Sequence, residues 1–479
     1  MSSLLATLIS SSNALRTFQR SLEVTQNNVA NAATPGYAAQ RLALIAQPFD
    51  PLAGLPGGVR PGILESARDV YSEQAVRSQN SLLGRFEEQS LRLEAIEAAL
   101  PVTAGTGIAA ALDRLYQAFS AFSTSPSSAG ARQNVLLRAE ELAATFRQTA
   151  AALDTVRTDT DRKIRQTIDQ TNELGRRLAA INAERRRGGA GDAGLDAQLH
   201  NALEELSALA DFTTLYQEDG TVTVLLGGQA PLVVGENVYT LSANYHIPAS
   251  PPPLYPTAPP PVSIASTSGQ QVTALLTGGK LAALVDTRNR VLPSLTGDPY
   301  QAGDLNLLAK ALADRVNSLL TSGRISDGPP PQPGVPLFTY DTSSDPNVAR
   351  SLAVDASVTP QMLAAIDPGP PYASNGTALK LAAMAQAQDP ADRINGFSFT
   401  EFYGDLAGRI GRELETARDN RDFRSQTVAQ ARNLRQQLSG VSLDEEAVRL
   451  VEFQRAYQAN ARLLTTLNEL LDTTLALMR

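Results

Sequence analysis

The stretch from Val441 to Arg479 contains neither proline nor glycine. As a continuous helix it would extend roughly 58 Å at 1.5 Å per residue. It opens on Ser442-Leu443-Asp444-Glu445, the pattern of a capping box: Ser442 can accept from an exposed amide while Glu445 reaches back. Asp444, Glu445 and Glu446 place negative charge in the first turn and Arg479 places positive charge at the far end, both favourable to the helix dipole. Steps of four and three residues pick out Leu443, Ala447, Leu450, Gln454, Tyr457, Ala461, Leu464, Asn468, Leu471, Leu475 and Met478. This is a coiled-coil seam with polar positions at Gln454 and Asn468. A seam of that length requires a partner.

The N-terminus supplies one. Leu4, Leu8, Ser11, Leu15, Phe18, Leu22, Thr25 and Val29 repeat the spacing in a run free of proline and glycine until Pro35. Each end could be a buried helix of an ordinary bundle. The economical alternative pairs Leu4–Val29 with Leu443–Met478 as one antiparallel coiled coil, with the remaining chain as an insertion. After the first helix comes Asn27-Asn28-Val29-Ala30-Asn31-Ala32-Ala33-Thr34-Pro35-Gly36-Tyr37. Pro35 disfavours helical geometry at Thr34, Gly36 can take backbone angles closed to other residues, and asparagines bond locally to the backbone. The spacing predicts an ordered corner here, a structural joint with Tyr37 packed against a neighbouring helix.

The run Ala30-Asn31-Ala32-Ala33-Thr34-Pro35-Gly36-Tyr37 resembles the N-terminal signature of bacterial flagellar axial proteins, the rod, hook and junction proteins. SLDEEA at Ser442–Ala447 and FQRAYQANAR at Phe453–Arg462 are similar to the C-terminal signature of the junction members of that family. Ala131–Leu136, the 195–209 helix before an Asp-Gly hairpin, Gly279–Leu284 and Asn375–Leu379 fall in the family's order, so the likeness spans nearly the whole chain. Ala38-Ala39 departs from the polar residues usual there, and 323–372 is short and proline-rich where some relatives carry a full outer domain. The resemblance implies a structural component of the hook–filament junction, with copies stacked so that the paired ends line a tube. It implies as partners other copies of the chain, the hook protein, a second junction protein (hook-associated protein 3) and a cytoplasmic export chaperone on the C-terminal helix. Asn31, Thr34, Pro35, Gly36, Tyr37, Ser442, Glu445, Gln454, Tyr457, Leu464 and Leu471 are the expected assembly residues. A hook or distal-rod protein is the alternative, and a secreted enzyme or cap protein with helical ends a more distant one.

Composition restricts the other classes. A net charge of −8 lacks the basic footprint that phosphates require, so no nucleic-acid partner is expected. The absence of cysteine removes disulfides, thiolate metal sites and cysteine nucleophiles, and leaves the chain without a redox liability outside the cell. The N-terminus lacks the basic and continuous apolar segments of a cleaved secretory signal, and no apolar run is long enough to span a membrane. The resemblance implies extracellular placement in the flagellum through its type III export apparatus.

The fold expected is mainly α with a minor β part: paired terminal helices and a helical middle with inserted β-hairpins. A terminal domain comprises 1–40 and 441–479. A helical middle comprises 41–210, 270–322 and 376–440, within which 41–46 is strand-like, 48–61 is rich in proline and glycine, and 101–107 is a connector. Residues 211–269 hold hairpins, marked by Asp219-Gly220 and Gly227-Gly228, and a proline-rich stretch from Pro248. Residues 323–375 form a small outer arm or domain. The 69–100 helix places Tyr71, Ala75, Leu82, Phe86, Leu93 and Ile96 on one side. The long helix from Ala129 turns polar at Arg157, Thr160, Thr167 and Thr171, where it packs loosely or faces water. The 282–320 region breaks near Pro293 and Pro299.

Nothing in the sequence assembles a catalytic or cofactor site, and no cofactor or metal is expected. His200 and His246 are far apart and lack partners of ligand spacing. Asp154, Asp159 and Asp161 match no calcium loop and read as solvated charge. The 188–194 glycines follow no strand and precede no Lys-Ser/Thr, which leaves a flexible turn. Arg185-Arg186-Arg187 before them reads as a complement to a helix C-terminus.

Overall fold

The computed structural model describes residues 2–50, 55–102, 105–189, 191–248, 250–328, 330–369 and 373–477. The seam position Met478, the terminal charge Arg479 and the side chain of Leu475 lie outside the described residues, as do Tyr372, 51–54, 103–104 and single positions of the loops at 190, 249, 329, 370 and 371.

Helix α1 (Ser2–Ala30) is followed by a ribbon of β1 (Gln40–Ala46), β2 (Phe49–Asp50), β3 (Leu55–Pro56) and β4 (Val59–Ser66). Then come α2 (Val70–Ala99), α3 (Gly107–Thr124), α4 (Ala129–Glu184) and α5 (Ala193–Leu209). Strands β5 (Phe212–Tyr216), β6 (Val222–Leu226), β7 (Ala230–Val234) and β8 (Asn237–Val238) form one antiparallel sheet in sequence order. A hairpin of β9 (Leu241–Tyr245) and β10 (Val262–Ser266) precedes α6 (Gly279–Asp286), α7 (Leu292–Thr296), α8 (Asp304–Ser322), α9 (Val348–Ser351) and α10 (Gly376–Ala383). Two long helices close the chain, α11 (Phe399–Ser439) and α12 (Leu443–Leu477). The fold is mainly α with a minor β part, as expected. The chain forms two compact units, Met1–Leu82 with Asn172–Thr240 and Arg424–Arg479, and Leu83–Thr171 with Leu241–Phe423.

In the first unit α1 and α12 lie side by side. Asn28, near the end of α1, bonds Glu446 in the first turn of α12, so the helices run antiparallel. The expected seams are corrected in phase. Steps of four and three from buried Glu446 give Leu450, Phe453, Tyr457, Asn460, Leu464, Leu467 and Leu471; all are half-buried except Tyr457, at 37% the most exposed of them. Leu443, Ala447, Gln454 and Asn468 are exposed. The two phases share a residue in every heptad, and the observed one keeps Phe453 and Leu467 out of water while leaving two amides hydrated. On α1 the most buried positions are Ala14, Thr17, Ser21, Thr25 and Asn28, whereas Val29 is exposed. That face also meets the ribbon: Ser10 donates to the Gly57 carbonyl at 2.6 Å and Thr17 to that of Val59 at 3.5 Å. Small side chains permit the close approach. Half of the capping box forms, with the Glu445 amide 3.4 Å from Ser442 Oγ, while the Glu445 carboxylate turns instead to Arg449.

The β5–β8 sheet is fixed to the end of α4 by Asn182, whose side chain accepts from the Val222 amide and donates to the carbonyls of Val222 and Gly235. At the start of α2 the expected side is reversed. Tyr71 and Ala75 are exposed, and Glu73, Val76, Arg77 and Asn80 are buried. A polar network lies beneath this turn and takes its charged residues inward.

The second unit is built on one apolar core from α2, α3, α4, α8, α10 and α11, with Leu93, Ile96, Phe119, Phe122, Phe146, Leu312, Leu381, Phe399 and Tyr403 buried. Each such side chain contributes on the order of 1.5–3 kcal/mol by leaving water. Residues 323–369 add Leu337, Phe338, Val348, Leu352 and Leu363 to this core. The polar stretch of α4 does not face water. Thr160, Thr167 and Thr171 are buried, each hydroxyl donating to the carbonyl four residues back. Nor are the three aspartates solvated charge: Asp161 pairs with buried Arg288 at 2.7 Å, Asp159 with Arg92 at 2.5 Å and Asp154 with Arg157 at 2.7 Å. Their alternation with threonine gave no apolar period to mark the face as inward. The expected break near Pro293 and Pro299 falls between α7 and α8: α6 continues through a π-helical turn at Thr287–Val291 into α7, which carries Pro293 and ends at Thr296, and α8 starts at Asp304.

Candidate assembly site at the terminal joint

The first helix ends in a corner whose side chains bond to one another. The Asn31 amide N–H donates to the Asn27 carbonyl at 3.0 Å, and the Asn31 side chain bonds the same carbonyl at 2.9 Å. Thr34 Oγ1 donates to Asn31 Oδ1 at 3.1 Å. Gly36 has φ +75°, a left-handed conformation, and a Cβ there would lie 2.6 Å from the Ala197 carbonyl oxygen of α5. Tyr37 folds back on α1 itself, its hydroxyl donating to Asn28 Oδ1 at 2.9 Å and accepting from Asn27 Nδ2 at 3.2 Å. Burial first, then the Glu446 carboxylate, raise the Tyr37 phenol pKa, which keeps the hydroxyl a donor.

Asn28 is the centre of the joint. Its Oδ1 accepts from Tyr37 and from the Gln40 amide at 2.9 Å; its Nδ2 donates to the Gln40 carbonyl at 2.9 Å and to Glu446 Oε2 at 3.1 Å. Two acceptor and two donor positions are thus all filled, which is the full capacity of a carboxamide. The backbone of Gln40 fixes which end is oxygen. Glu446 is held on its other oxygen by Arg449 at 2.8 Å. One amide therefore ties the end of α1, the start of β1 and the start of α12.

A second stitch lies at Ser439. Its carbonyl accepts from the Ala39 amide at 2.9 Å and its hydroxyl from the Asp69 amide at 3.0 Å. Beneath it Arg68 donates to the Gly36 carbonyl at 2.6 Å, to Asp196 at 2.8 Å and to buried Glu73. Arg435 reaches Glu73 at 3.3 Å and Glu204 at 2.6 Å, and Arg185 joins through Asp196 and the Gly220 carbonyl. Arg185 is thereby an internal tie, while Arg186 pairs with Glu236. His200 sits in this network, with Nδ1 3.8 Å from Glu73 and 3.5 Å from Arg77. Among the described residues no group of three or more acidic or imidazole side chains could hold a metal ion.

The network makes the joint acid-labile. Burial alone would raise the Glu73 carboxyl; His200, Arg68 and Arg435 outweigh it and lower the pKa from 4.5 to about 2. Burial lowers the His200 imidazole below 6.5, and Arg68 adds to this against Glu73 and Asp196. For both groups the unfolded chain binds the proton more readily, so stability falls as pH falls. The His200 contribution is lost below pH 6.5, and that of Glu73 between pH 4.5 and about 2. Thermal unfolding across this range is expected to show both losses, with His200→Gln abolishing the first and shrinking the second, which Arg68 and Arg435 then sustain without the imidazole.

Residues 93–338, just over half of the chain, match the model of the flagellar hook-associated protein FlgK helical domain. The chain belongs to the FlgK family of flagellar hook-associated proteins. A member of this family is a structural component of the flagellum at the junction between hook and filament. Residues 8–37 match the flagella basal body rod protein family, and 435–477 the C-terminal family of the basal body rod FlgEFG proteins. These two matches coincide with the elements that build the joint. Among curated relatives, flagellar hook-associated protein 1 of Bacillus subtilis (strain 168) is 26% identical over 502 residues, covering 96% of this chain and 95% of the relative. That of Escherichia coli (strain K12) is 24% identical, covering 98% and 99%. The solved structure of the flagellar hook junction protein FlgK from Burkholderia pseudomallei aligns with a TM-score of 0.64 at 14% identity, covering 77% of this chain and all of that one. It establishes a shared fold.

In this FlgK-family chain the expected site residues fall into three places. Asn31, Thr34, Pro35, Gly36 and Tyr37 form the corner, and Ser442 with Glu445 opens α12 a few residues from Glu446. Leu464 and Leu471 are half-buried along the helix pair, Tyr457 lies on the same row with 37% of its surface exposed, and Gln454 is exposed. Sequence reasoning missed Asn28, Gln40, Arg68, Glu73, His200, Arg435, Ser439 and Glu446. The available signal for Asn28 was its place on the Ala14-Thr17-Ser21-Thr25 stripe, a polar residue in line with small ones.

Proposed function

We propose that copies of this chain assemble around the flagellar axis with α1 and α12 as the inner layer and the joint as the structural connection to the rest of the subunit. The observation that carries this reading is the apolar surface still uncovered on the paired helices: Leu5 and Ile9 on α1, and Val448, Val451, Leu463 and Leu470 on α12. Such residues on two otherwise hydrated helices supply the burial that association gains. In this reading 1–40 and 441–479 act as the assembling domain, and Asn31–Tyr37 and Ser442–Glu445 hold its geometry. The hook protein and hook-associated protein 3 are the neighbours on either side of the layer. An export chaperone covers the exposed rows of α12 in the cytoplasm, and the chain leaves by the flagellar export apparatus without signal cleavage. Its role is mechanical, not enzymatic.

The test is electron microscopy of a strain lacking the chain. Hooks without filaments, with filament protein shed to the medium, are expected. Filaments of normal number and length would overturn the reading.

A further inference from the structure

Both faces of the β1–β4 ribbon carry exposed apolar side chains, Leu44 and Leu64 on one and Ile45 and Ile63 on the other, and the second also holds both arginines of the ribbon. Its register pairs Arg41 with Glu65 and Ile45 with Arg60 on one face, and Leu42 with Leu64 and Leu44 with Pro61 on the other. Arg41, Ile45, Arg60 and Ile63 are all exposed, Ile63 to 71%. Among the described residues neither Arg41 nor Arg60 has an ion-pair partner, and Glu65 is the one carboxylate on the paired segments. A two-stranded ribbon with exposed isoleucines and open edges is an association surface unless something covers it.

The first three turns of α12 have the complementary chemistry. Residues 443–454 carry Asp444, Glu445, Glu446 and Glu452 against a single Arg449, which is already held by Glu445 and Glu446. Asp444, Val448, Val451 and Glu452 follow one another at helical spacing and are all exposed, with Val448 at 59%. An apolar pair flanked by free cations thus stands on one element, and an apolar pair flanked by free anions on another. Neither pair lies on the α1–α12 seam. A contact joining two different patches is heterologous, and it runs from copy to copy around a ring or along a helix according to the rotation between copies.

We propose that the Arg41, Ile45, Arg60 and Ile63 face of one copy seats on the Asp444, Val448, Val451 and Glu452 face of a second copy. The proposal rests on the axial assembly above and adds to it the surface through which neighbouring copies meet. Ion pairs at the rim fix orientation, and the branched aliphatic side chains between them supply the burial.

The chain has no cysteine, so crosslinking reads the contact directly. Two single variants, Ile45→Cys and Val448→Cys, are expressed together, and isolated hook–filament junctions are oxidised. A disulfide dimer of twice the 50.8 kDa chain is expected, and it is absent when Leu463→Cys replaces Val448→Cys. Combining Arg41→Glu with Arg60→Glu is expected to abolish the dimer, and adding Asp444→Arg and Glu452→Arg to the same chain to restore it. Absence of the dimer from junctions that contain the chain would overturn the proposal and leave the axial role intact. Equal yield from the Leu463 control would also overturn it, as would an adduct of another mass, which signals a different partner. Absence of the chain from the junctions would instead count against the axial role itself.

Discussion

Replacing Asn28 with alanine is expected to lower stability by about 3 kcal/mol, since each buried polar group left without a partner costs roughly 1–3 kcal/mol. The substitution strips partners from the Gln40 amide and carbonyl, from the Tyr37 hydroxyl and from one oxygen of Glu446. Only part of this loss can be recovered, because Asn28 is 1% exposed and water has little access to the vacated space. Aspartate should be no better. It keeps an acceptor for Gln40 but sets a carboxylate against Glu446. Hydrogen exchange localises the effect: protection should fall across 2–30 and 443–477 and remain across the 108–146 core. Uniform loss in both units, or none in either, would contradict the role assigned to Asn28.

Gly36→Val has the second largest expected effect. A left-handed backbone costs a β-branched residue more than the roughly 1–2 kcal/mol typical of non-glycine residues. The added Cβ also meets the Ala197 carbonyl oxygen at 2.6 Å and Asn201 Cβ at 3.3 Å, so the corner must lift from α5. The Arg68 bond to the Gly36 carbonyl moves with it. The expected result is loss of filament attachment by a chain whose overall helicity is nearly unchanged. Gly36→Asn separates the two causes: asparagine tolerates the left-handed angle yet still carries the Cβ. If the contact with α5 dominates, Asn and Val behave alike. Normal filaments from Gly36→Val would remove the corner from the assembly machinery.

The helices were legible because they are long, amphipathic and punctuated by proline and glycine at Pro35, Pro101, Gly188 and Gly440. The phase of the α12 seam was not. Counting from Leu443 and counting from Glu446 both select Leu450, Leu464 and Leu471, and an apolar pattern gives no reason to begin from an acid. Glu446 is inward because Asn28 and Arg449 satisfy it, and Asn28 lies 418 residues away. The same holds for the network of Arg68, Glu73, His200 and Arg435. Its members share no period and come from three separate stretches, 68–73, His200 and Arg435, so only the folded chain brings them together. On α4, buried threonines concealed an inward face by donating their hydroxyls to their own helix. The family signature pointed to Thr34–Tyr37, beyond Asn28 at the end of α1, and to Ser442–Ala447, which contains Glu446 without marking it as inward.

The bond between Asn28 and Glu446 also orders events in time. Synthesis reaches Asn28 when Glu446 is still 418 residues away, so while that length of chain is being made one donor of that amide has nowhere to go. Gln40 and Tyr37 arrive early and can complete the other three bonds while the rest of the chain is still being made. A chain terminated before residue 446 leaves that last valence empty, and only a chain that includes Glu446 can fill it. Closure of the joint thus reports that two segments made far apart in time belong to the same polypeptide.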